Sequence, residues 1–486
     1  MAAGALPALA FPAPAWWWFA YVALVPWLLL LRTAPDGRRA LLEGWLGGIG
    51  FMTAMHHWLI PNLHVFTLVI AALLGALWAP WGLLVRHAFR RGPGAVLLVV
   101  PAGWAAIELV RSWEYLGGPW GLMGASQWQV PAMLRVASVG GVWLVGLLVV
   151  AANAAVALLV TTPPARTTAA ASLVAASLAV CAVWLWAPRP DARGSLRIAV
   201  VQPGVIDGYE ARFDRGEELT RSLPAGGLDL VVWGESSVGA DLAGRPDFTR
   251  RLAALSRQTG AEILVNVDAR RSDKPGIYKS SVLVGPDGQV LGRYDKMRLV
   301  PFGEYIPLRD ALGWATSVGR AAGEDRRRGA AQVLLPLDSG VRVGPLVCFE
   351  SAFPDMSRRL VRDGADVLIA QSSTSTFQRS WAPGQHASLA ALRAAETGRP
   401  ALHATLTGVS AVYGPDGSPA GPRLGTDAST ARVYDVPLAG GTTLYVRFGD
   451  WAVYAALAAL ALYGAAEVFR RTDRSPRVPL AHTARE

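Results

Sequence analysis

Apolar residues are concentrated in two parts of the chain, with a long stretch of mixed pattern between them. Residues 1 to about 187 contain six long apolar runs with few charges, and a seventh run follows much later. A helix that crosses a bilayer needs about 20 apolar residues. We therefore predict a polytopic α-helical membrane domain over 1–190, with seven spans in the chain, a last transmembrane helix over 449–467 and a tail over 468–486. The runs lie at 5–31, 43–60, 65–85, 94–113, 134–160, 168–187 and 449–467.

Residues 195–440 show a different pattern, in which short β-type runs alternate with helical stretches. Pro286-Asp-Gly288 and Pro415-Asp-Gly417 are turn signals between paired strands. Strands that alternate with helices and are interrupted by hairpins indicate a layered α/β domain. Strands are predicted at 196–202, 228–234, 262–268, 279–284, 289–294, 341–348, 366–371, 401–406, 409–413 and 430–436, and helices at about 209–222, 246–259, 354–363 and 383–397.

The composition also indicates a membrane protein. Of the 486 residues, 52% are hydrophobic, and the mean hydropathy is +0.31. Such a chain is too apolar for an ordinary soluble enzyme of this length. A net charge of +10 together with 19 tryptophans suits a bilayer with anionic lipids better than nucleic acid. The two cysteines, Cys181 and Cys348, lie in different parts of the chain, so we expect no disulfide.

Basic residues give the membrane domain an orientation. They occur in alternate connections and in the tail, while the connections at 61–64 and 114–131 contain none. Positive charge marks the cytoplasmic side of a membrane. The domain at 195–440 is therefore predicted to be extracytoplasmic, and the tail at 468–486 cytoplasmic. The basic residues are Arg32, Arg38, Arg39, Arg86, Arg90, Arg91, Arg166, Arg470, Arg471, Arg474, Arg477 and Arg485.

Two segments on the predicted outer side combine polar and apolar residues. Glu108, Arg111 and Glu114 precede a glycine-rich loop at 117–127, and we interpret these charges as interfacial anchors. The segment 308–330 breaks the alternation of strands and helices. It is predicted to be a mobile loop with an apolar part that contacts lipid, and a disordered insert is the alternative.

Residues that suit acyl transfer follow three of the predicted strands. Glu235 ends the first, Lys296 follows the second with Glu304 eight residues on, and Cys348 and Glu350 end the third. A carboxylate can take a thiol proton, a lysine can hold a developing oxyanion, and a cysteine can form a thioester. Because a helix is predicted after the cysteine, we also expect its N-terminus to lower the pKa of the thiol.

Other arrangements stay open on these residues alone. Each charged group could be an ordinary cap or solvated side chain, and the cysteine could be a core residue. His386 and His403 are the histidines of the predicted soluble domain, and a Cys348–His386 dyad is the alternative catalytic pair. No cluster has the spacing of metal ligands, and no glycine-rich phosphate loop is present in the sequence. We expect neither a metal nor a cofactor.

The motifs around these residues resemble those of the nitrilase, or carbon–nitrogen hydrolase, superfamily, whose members use a Glu-Lys-Cys triad on an α-β-β-α sandwich. With a multi-span segment before the domain and one span after it, they are similar to the apolipoprotein N-acyltransferase family. That resemblance implies eight spans, with the first run divided at Pro12–Pro14. The motifs are Trp233-Gly-Glu235-Ser, Tyr294-Asp-Lys296, Pro301-Phe-Gly-Glu304-Tyr-Ile-Pro307, Val347-Cys348-Phe-Glu350-Ser and Gly118-Pro-Trp-Gly-Leu-Met-Gly-Ala-Ser-Gln127.

The resemblance implies an activity and a role for each residue. Glu235 matches the general base, Lys296 the group that stabilises the tetrahedral intermediate, and Cys348 the acylated nucleophile, with Glu304 and Glu350 supporting the site. Enzymes of that family transfer an acyl chain from a membrane phospholipid to the α-amino group of diacylglyceryl-cysteine lipoproteins. This implies a multi-pass protein of the bacterial cytoplasmic membrane with its catalytic domain on the outer face. We expect a monomer.

The chain departs from the family pattern at two places. Gly234 stands where proline is common, and Ser373-Thr-Ser-Thr-Phe377 replaces Asn-Asp-Ala-Trp-Phe, which leaves the donor and acceptor preference open. Two other functions are also open. One is a membrane-anchored amidase or nitrilase that uses the same triad with water as acceptor. The other is a catalytically inactive scaffold for a partner enzyme in the membrane.

Overall fold

The computed structural model describes residues 1–312 and 323–472. The predicted segment at 308–330 and the tail at 468–486 therefore lie partly outside the described residues. The helices are α1 Ala2–Ala5, α2 Val25–Thr33, α3 Gly37–Met55, α4 Ile60–Leu63, α5 Phe66–Gly75, α6 Trp78–Arg91, α7 Pro93–Arg111, α8 Pro131–Thr161, α9 Arg166–Trp186, α10 Tyr209–Arg221, α11 Pro246–Thr259, α12 Arg309–Leu312, α13 Pro354–Arg362, α14 Ala382–Thr397, α15 Leu444–Phe448 and α16 Trp451–Thr472.

The strands all belong to the domain between α9 and α15. They are β1 Asp191–Gln202, β2 Leu230–Trp233, β3 Glu262–Arg270, β4 Ile277–Val284, β5 Val290–Asp295, β6 Leu335–Pro336, β7 Arg342–Val347, β8 Val367–Ser372, β9 Ala401–Thr405, β10 Ala411–Tyr413 and β11 Thr430–Gly440.

Five helical segments of the described chain are long and apolar enough to cross a membrane. Ala169 is the one buried residue of helix α9, as expected for a helix that faces lipid. The first apolar run does not form one long helix. It is divided into α1, two 3₁₀ turns and α2, with Pro12 and Pro14 between the turns, because proline lacks the N–H that a continuing helix requires. The five segments are Phe66–Arg91, Pro93–Arg111, Pro131–Thr161, Pro163–Trp186 and Trp451–Arg470.

The basic connections of the membrane domain lie at one end of the helix bundle. Arg32 donates to the carbonyl of Thr161 at the end of α8 (3.2 Å), and Arg86 donates to the carbonyl of Ala34 (2.9 Å). Arg91 pairs with Glu467 near the end of α16. Helices α7 and α16 run between this end and the α/β domain.

The α/β domain consists of two sheets between two layers of helices. One sheet has the strand order β11-β1-β2-β3-β4-β5 and the other the order β10-β9-β8-β7-β6. Apolar side chains from both sheets, such as Val232 and Ile369, form the core between them. Helices α10 and α11 cover the outer face of the first sheet, where Phe213 and Leu252 are buried. The arrangement is the expected α-β-β-α sandwich.

The second helical layer packs directly on the membrane domain. Helix α14 is almost entirely buried, and it contacts α8 and the strands of the second sheet. Its apolar residues share one continuous core with side chains of the membrane helices. The strands and helices of this domain occur close to their predicted positions, and α11 has the predicted bounds. Strand β1 begins five residues earlier than predicted. Its first residues are mostly polar and exposed, so the sequence pattern does not indicate a strand there, but they pair with β11.

The interpretation of Glu108 and Arg111 as interfacial anchors is wrong. Both side chains are buried, and both hold the loop at 117–127. Glu108 accepts a hydrogen bond from the backbone N–H of Met123 (2.6 Å), and Arg111 donates to the carbonyl of Trp120 (2.6 Å). A charge within a membrane protein is retained where it has such a partner. Glu114, which is less buried, pairs with Arg328 of the α/β domain (2.5 Å).

Candidate active site

Cys348 follows β7 on a sharp turn, and its backbone has a φ of +52°, in the left-handed region that few residues other than glycine adopt. A 3₁₀ helix spans Cys348–Ala352, and α13 begins only at Pro354. Strained turns of this kind are often found where a side chain must be presented for chemistry. Cys348 as a whole residue is half-buried.

The sequence-based expectation that a helix N-terminus lowers the pKa of this thiol is wrong. Burial and the charge of Glu235 raise the pKa of Cys348 to about 12, although Lys296 and Lys279 act to lower it. The α-helix begins six residues after Cys348, and the intervening 3₁₀ helix is too short to supply much dipole. The resting cysteine is therefore a thiol rather than a thiolate.

Glu235, Lys296 and Glu304 meet beside the cysteine in a buried cluster of charges. Glu235 follows β2 and Lys296 follows β5, and these two strands end on the same side of the first sheet. The Lys296 Nζ lies 2.7 Å from Glu304 Oε1 and 3.6 Å from Glu235 Oε1. Lys296 is fully buried, and the two carboxylates are 2% and 5% exposed. The structure thus brings Glu235 to Lys296 and Glu304, which lie much later in the sequence.

A second lysine, which the sequence analysis missed, belongs to the same cluster. The Lys279 Nζ lies 2.7 Å from Glu235 Oε1, 3.1 Å from Glu304 Oε1 and 3.8 Å from Asp268 Oδ2. Lys279 is in β4, whose other residues suggested an ordinary strand. The polar run Lys279-Ser-Ser281 in an otherwise apolar strand was the only signal in the sequence that could have revealed it.

The charges of this cluster determine one another's protonation. Burial alone would raise the pKa of Glu304, but the neighbouring Lys296 and Lys279 lower it to about 2. Burial opposes the charge on Lys296 and Lys279 as well, yet the carboxylates of Glu304 and Glu235 raise the pKa of each lysine above its usual range. Both lysines and Glu304 therefore stay ionised, as buried ion pairs with several partners do.

Glu350 forms hydrogen bonds that hold the turn carrying Cys348 in place. One of its oxygens accepts from the N–H of Val347 (2.8 Å), and the other accepts from the Tyr294 hydroxyl and the N–H of Met297 (both 2.7 Å). It therefore joins the cysteine turn to the segment just after Lys296. Its partners here are backbone N–H groups and a tyrosine hydroxyl, and its role as a supporting residue stays a prediction.

His386 contacts the cysteine turn but not through the thiol. Its Nε2 lies 3.0 Å from the carbonyl oxygen of Cys348, and its Nδ1 lies 3.1 Å from the hydroxyl of Ser372. Burial lowers the pKa of His386 to about 4. Both ring nitrogens are occupied, so the geometry favours Glu235 over His386 as the base for Cys348.

Aromatic residues line the other side of the site, and two of them come from the membrane domain. The ring of Phe377, in the segment that departs from the family pattern, lies 4.8 Å from that of Trp58, and Trp58 lies 5.5 Å from Trp120. Trp120 in turn lies 5.4 Å from His386. Gly118 lies so close to Phe349 that a Cβ there would come within 2.5 Å of the ring.

The polar part of the departing segment faces the sheet rather than the aromatic residues. The Ser373 hydroxyl lies 3.2 Å from that of Thr407, and Thr374 donates to the Thr407 carbonyl (3.1 Å).

In the residues that the structure describes, no group of three or more histidine, cysteine, aspartate or glutamate side chains could hold a metal ion.

Comparison with known proteins finds similarity over both domains. The family model for the apolipoprotein N-acyltransferase N-terminal domain matches residues 3–155, and the carbon–nitrogen hydrolase family matches residues 197–443. The apolipoprotein N-acyltransferase of Azotobacter vinelandii is 31% identical over 100% of this chain and 97% of its own. That of Geobacter metallireducens is 28% identical over 96% and 94%.

Among solved structures, a CN-hydrolase superfamily protein from Xanthomonas campestris is similar to 55% of this chain and 97% of its own, with 19% sequence identity and a TM-score of 0.39.

Proposed function

We infer the chemistry of this site from the family to which the chain belongs, that of the apolipoprotein N-acyltransferases. The chain is a membrane acyltransferase that acts in lipoprotein N-acylation. We propose that Cys348 carries the acyl chain as a thioester, with Glu235 as general base and Lys296 as oxyanion stabiliser. The observation that carries this proposal is the position of the Cys348 turn beside the buried cluster of Glu235, Lys296 and Glu304.

In the first half-reaction, Cys348 Sγ attacks the ester carbonyl of a membrane phospholipid while Glu235 takes the thiol proton. Because the pKa of the thiol is raised to about 12, deprotonation accompanies attack. Lys296 stabilises the negative charge on the carbonyl oxygen. The ester C–O bond then breaks, Glu235 returns the proton to the leaving oxygen, and a lysophospholipid departs from the acyl-cysteine.

In the second half-reaction, the α-amino group of a diacylglyceryl-cysteine lipoprotein attacks the thioester. Glu235 takes a proton from the amine, Lys296 again stabilises the oxyanion, and the C–S bond breaks. The cysteine sulfur leaves as a thiolate and recovers the proton from Glu235, which completes the amide. The same three side chains therefore serve both steps without a cofactor.

The arrangement of charges along the chain supports an extracytoplasmic position for this site. The basic connections at Arg32, Arg86 and Arg91 lie together at one end of the membrane helices, and the α/β domain lies at the other. Positive charge favours the cytoplasmic side, so the catalytic domain faces outward. Both substrates are held by the bilayer, and this raises their effective concentration at a site on its surface.

An acyl-adduct experiment tests the mechanism. The protein is purified in mild detergent and incubated with phosphatidylethanolamine that carries a labelled acyl chain, beside Cys348→Ala and a Cys181→Ala control. We expect the wild type and the control to gain one acyl mass that hydroxylamine removes, and Cys348→Ala to gain none. Label on Cys348→Ala would contradict the assignment of the nucleophile. Release of free acid from small amides by the same protein would point to an amidase instead.

A further inference from the structure

Lys279 has a place in the active site that the triad does not explain. Its ammonium group lies closer to the Glu235 carboxylate (2.7 Å) than that of Lys296 does (3.6 Å). Only 14% of its side chain is exposed. The closest lysine to the general base is therefore not the lysine that the family pattern identifies.

The two lysines are coupled through the backbone of the first sheet. Lys279 lies in β4 and Lys296 directly after the neighbouring β5, and the N–H of Lys296 donates to the carbonyl of Lys279 (2.8 Å). Each lysine pairs most closely with a different carboxylate. Lys296 pairs with Glu304 (2.7 Å), and Lys279 pairs with Glu235 (2.7 Å). Asp268, opposite Lys279 on β3, also pairs with Arg326 (3.3 Å).

We propose that Lys279 is a positioning residue for the general base. It holds Glu235 through Oε1, which leaves the other carboxylate oxygen to take the proton of the thiol. It also leaves Lys296 free to move from Glu235 toward the oxyanion. This inference rests on the proposed role of Glu235, and it adds a second cation to the Glu-Lys-Cys triad.

The test follows the reactivity of Cys348 with iodoacetamide across the pH range, in a Cys181→Ser background. Alkylation needs the thiol proton removed but needs no lipid, so it measures the base even if the lipid donor is wrong. Lys279→Met should lower the alkylation rate about tenfold at neutral pH, because Glu235 is no longer held toward the thiol. The loss should shrink as the pH rises toward the raised pKa of Cys348, where the thiol ionises without a base. Lys279→Arg, which keeps the charge, should restore the rate at neutral pH.

Lys274→Met is the matched control, because Lys274 is also a lysine paired with a buried carboxylate, Asp295 (2.7 Å), but it does not contact Glu235. Its pH profile should stay that of the wild type. A Lys279→Met profile in which the alkylation rate falls by the same factor at every pH would overturn the proposal and leave Lys279 a structural residue. A thermal unfolding scan of each variant shows whether lost amplitude reflects unfolded protein. Normal alkylation profiles without any lipid-derived adduct would overturn the proposed donor and leave the role of Lys279 intact.

Discussion

The two sides of Cys348 are built differently. On one side lie Glu235, Lys279, Lys296 and Glu304, which all belong to the α/β domain and are linked by contacts of 2.7 to 3.6 Å. On the other side lie aromatic rings, two of which belong to the membrane domain, with centroids 4.8 to 5.5 Å apart. The charged residues proposed for catalysis thus all belong to one domain, while the aromatic residues on the other side of Cys348 come from both domains.

This difference has a physical reason. Buried charges need partners at hydrogen-bond distance, since the cost of leaving one unpaired is several kcal/mol. Strands of a single sheet hold such distances reliably. Ring contacts are less directional and tolerate small shifts between domains. We therefore expect the charged side to determine whether acyl transfer occurs, and the aromatic side to determine how well lipid substrates are used.

The largest effect should follow from Lys296→Met. This change removes the proposed oxyanion stabiliser and, among the described residues, leaves Lys279 as the lysine that pairs with Glu304. We expect transfer to fall by about 10³-fold or more, both with a phospholipid donor and with a short water-soluble ester, because the loss lies in the chemistry. Release of acid from the ester and labelling of the protein measure the two reactions.

The control for Lys296→Met is again Lys274→Met, which should retain wild-type rates with both donors. If Lys296→Met lost activity only with the phospholipid, the separation of a chemical side from a lipid side would be wrong.

A smaller effect is expected at the link between the domains. Helix α8 is kinked at Gly141, which has a φ of +68°, and the freed N–H of Val142 donates to Glu396 (2.7 Å). Arg393 pairs with Glu396 (2.9 Å) and donates to the carbonyl of Ala352, the last residue of the cysteine turn (3.0 Å). Helix α8 is thus connected to the turn that carries Cys348 through the buried Arg393–Glu396 ion pair.

Arg393→Met should therefore lower the free energy of unfolding by about 3–5 kcal/mol, because it leaves a carboxylate buried without its cation. Burial already raises the pKa of Glu396 to about 7, with Arg393 acting against it, so the variant should lose least stability in mild acid, where Glu396 is protonated. Unfolding in detergent at several pH values measures this loss of stability.

The control is Arg359→Met, at an exposed pair with Asp363, which should change the free energy of unfolding by no more than about 0.5 kcal/mol. Equal losses in both variants would contradict the link.

The sequence predicted the charged side better than the aromatic side. Glu235, Lys296 and Cys348 could be predicted because each follows a predicted strand, where a polar or reactive residue is conspicuous. Lys279 could not, because a lysine inside a strand reads as a solvated residue until its neighbours in the sheet are known. The error about Glu108 and Arg111 has the same origin: hydropathy gives the depth of a residue in the membrane, but not which loop folds back to contact it.

Of the three changes, Trp58→Ala should have the smallest effect, and it tests the aromatic side directly. Trp58 connects Phe377 of the catalytic domain to Trp120 of the membrane domain, so its removal opens the contact between them. We expect about a tenfold loss of transfer from a phospholipid and little change with a short soluble ester, since no hydrogen bond to the charged cluster is lost. Trp186→Ala, which removes a tryptophan that is 78% exposed, is the control and should leave both reactions unchanged. An equal loss with both donors would show that the rings position the thiol itself, and the two sides of the site would then act as one unit.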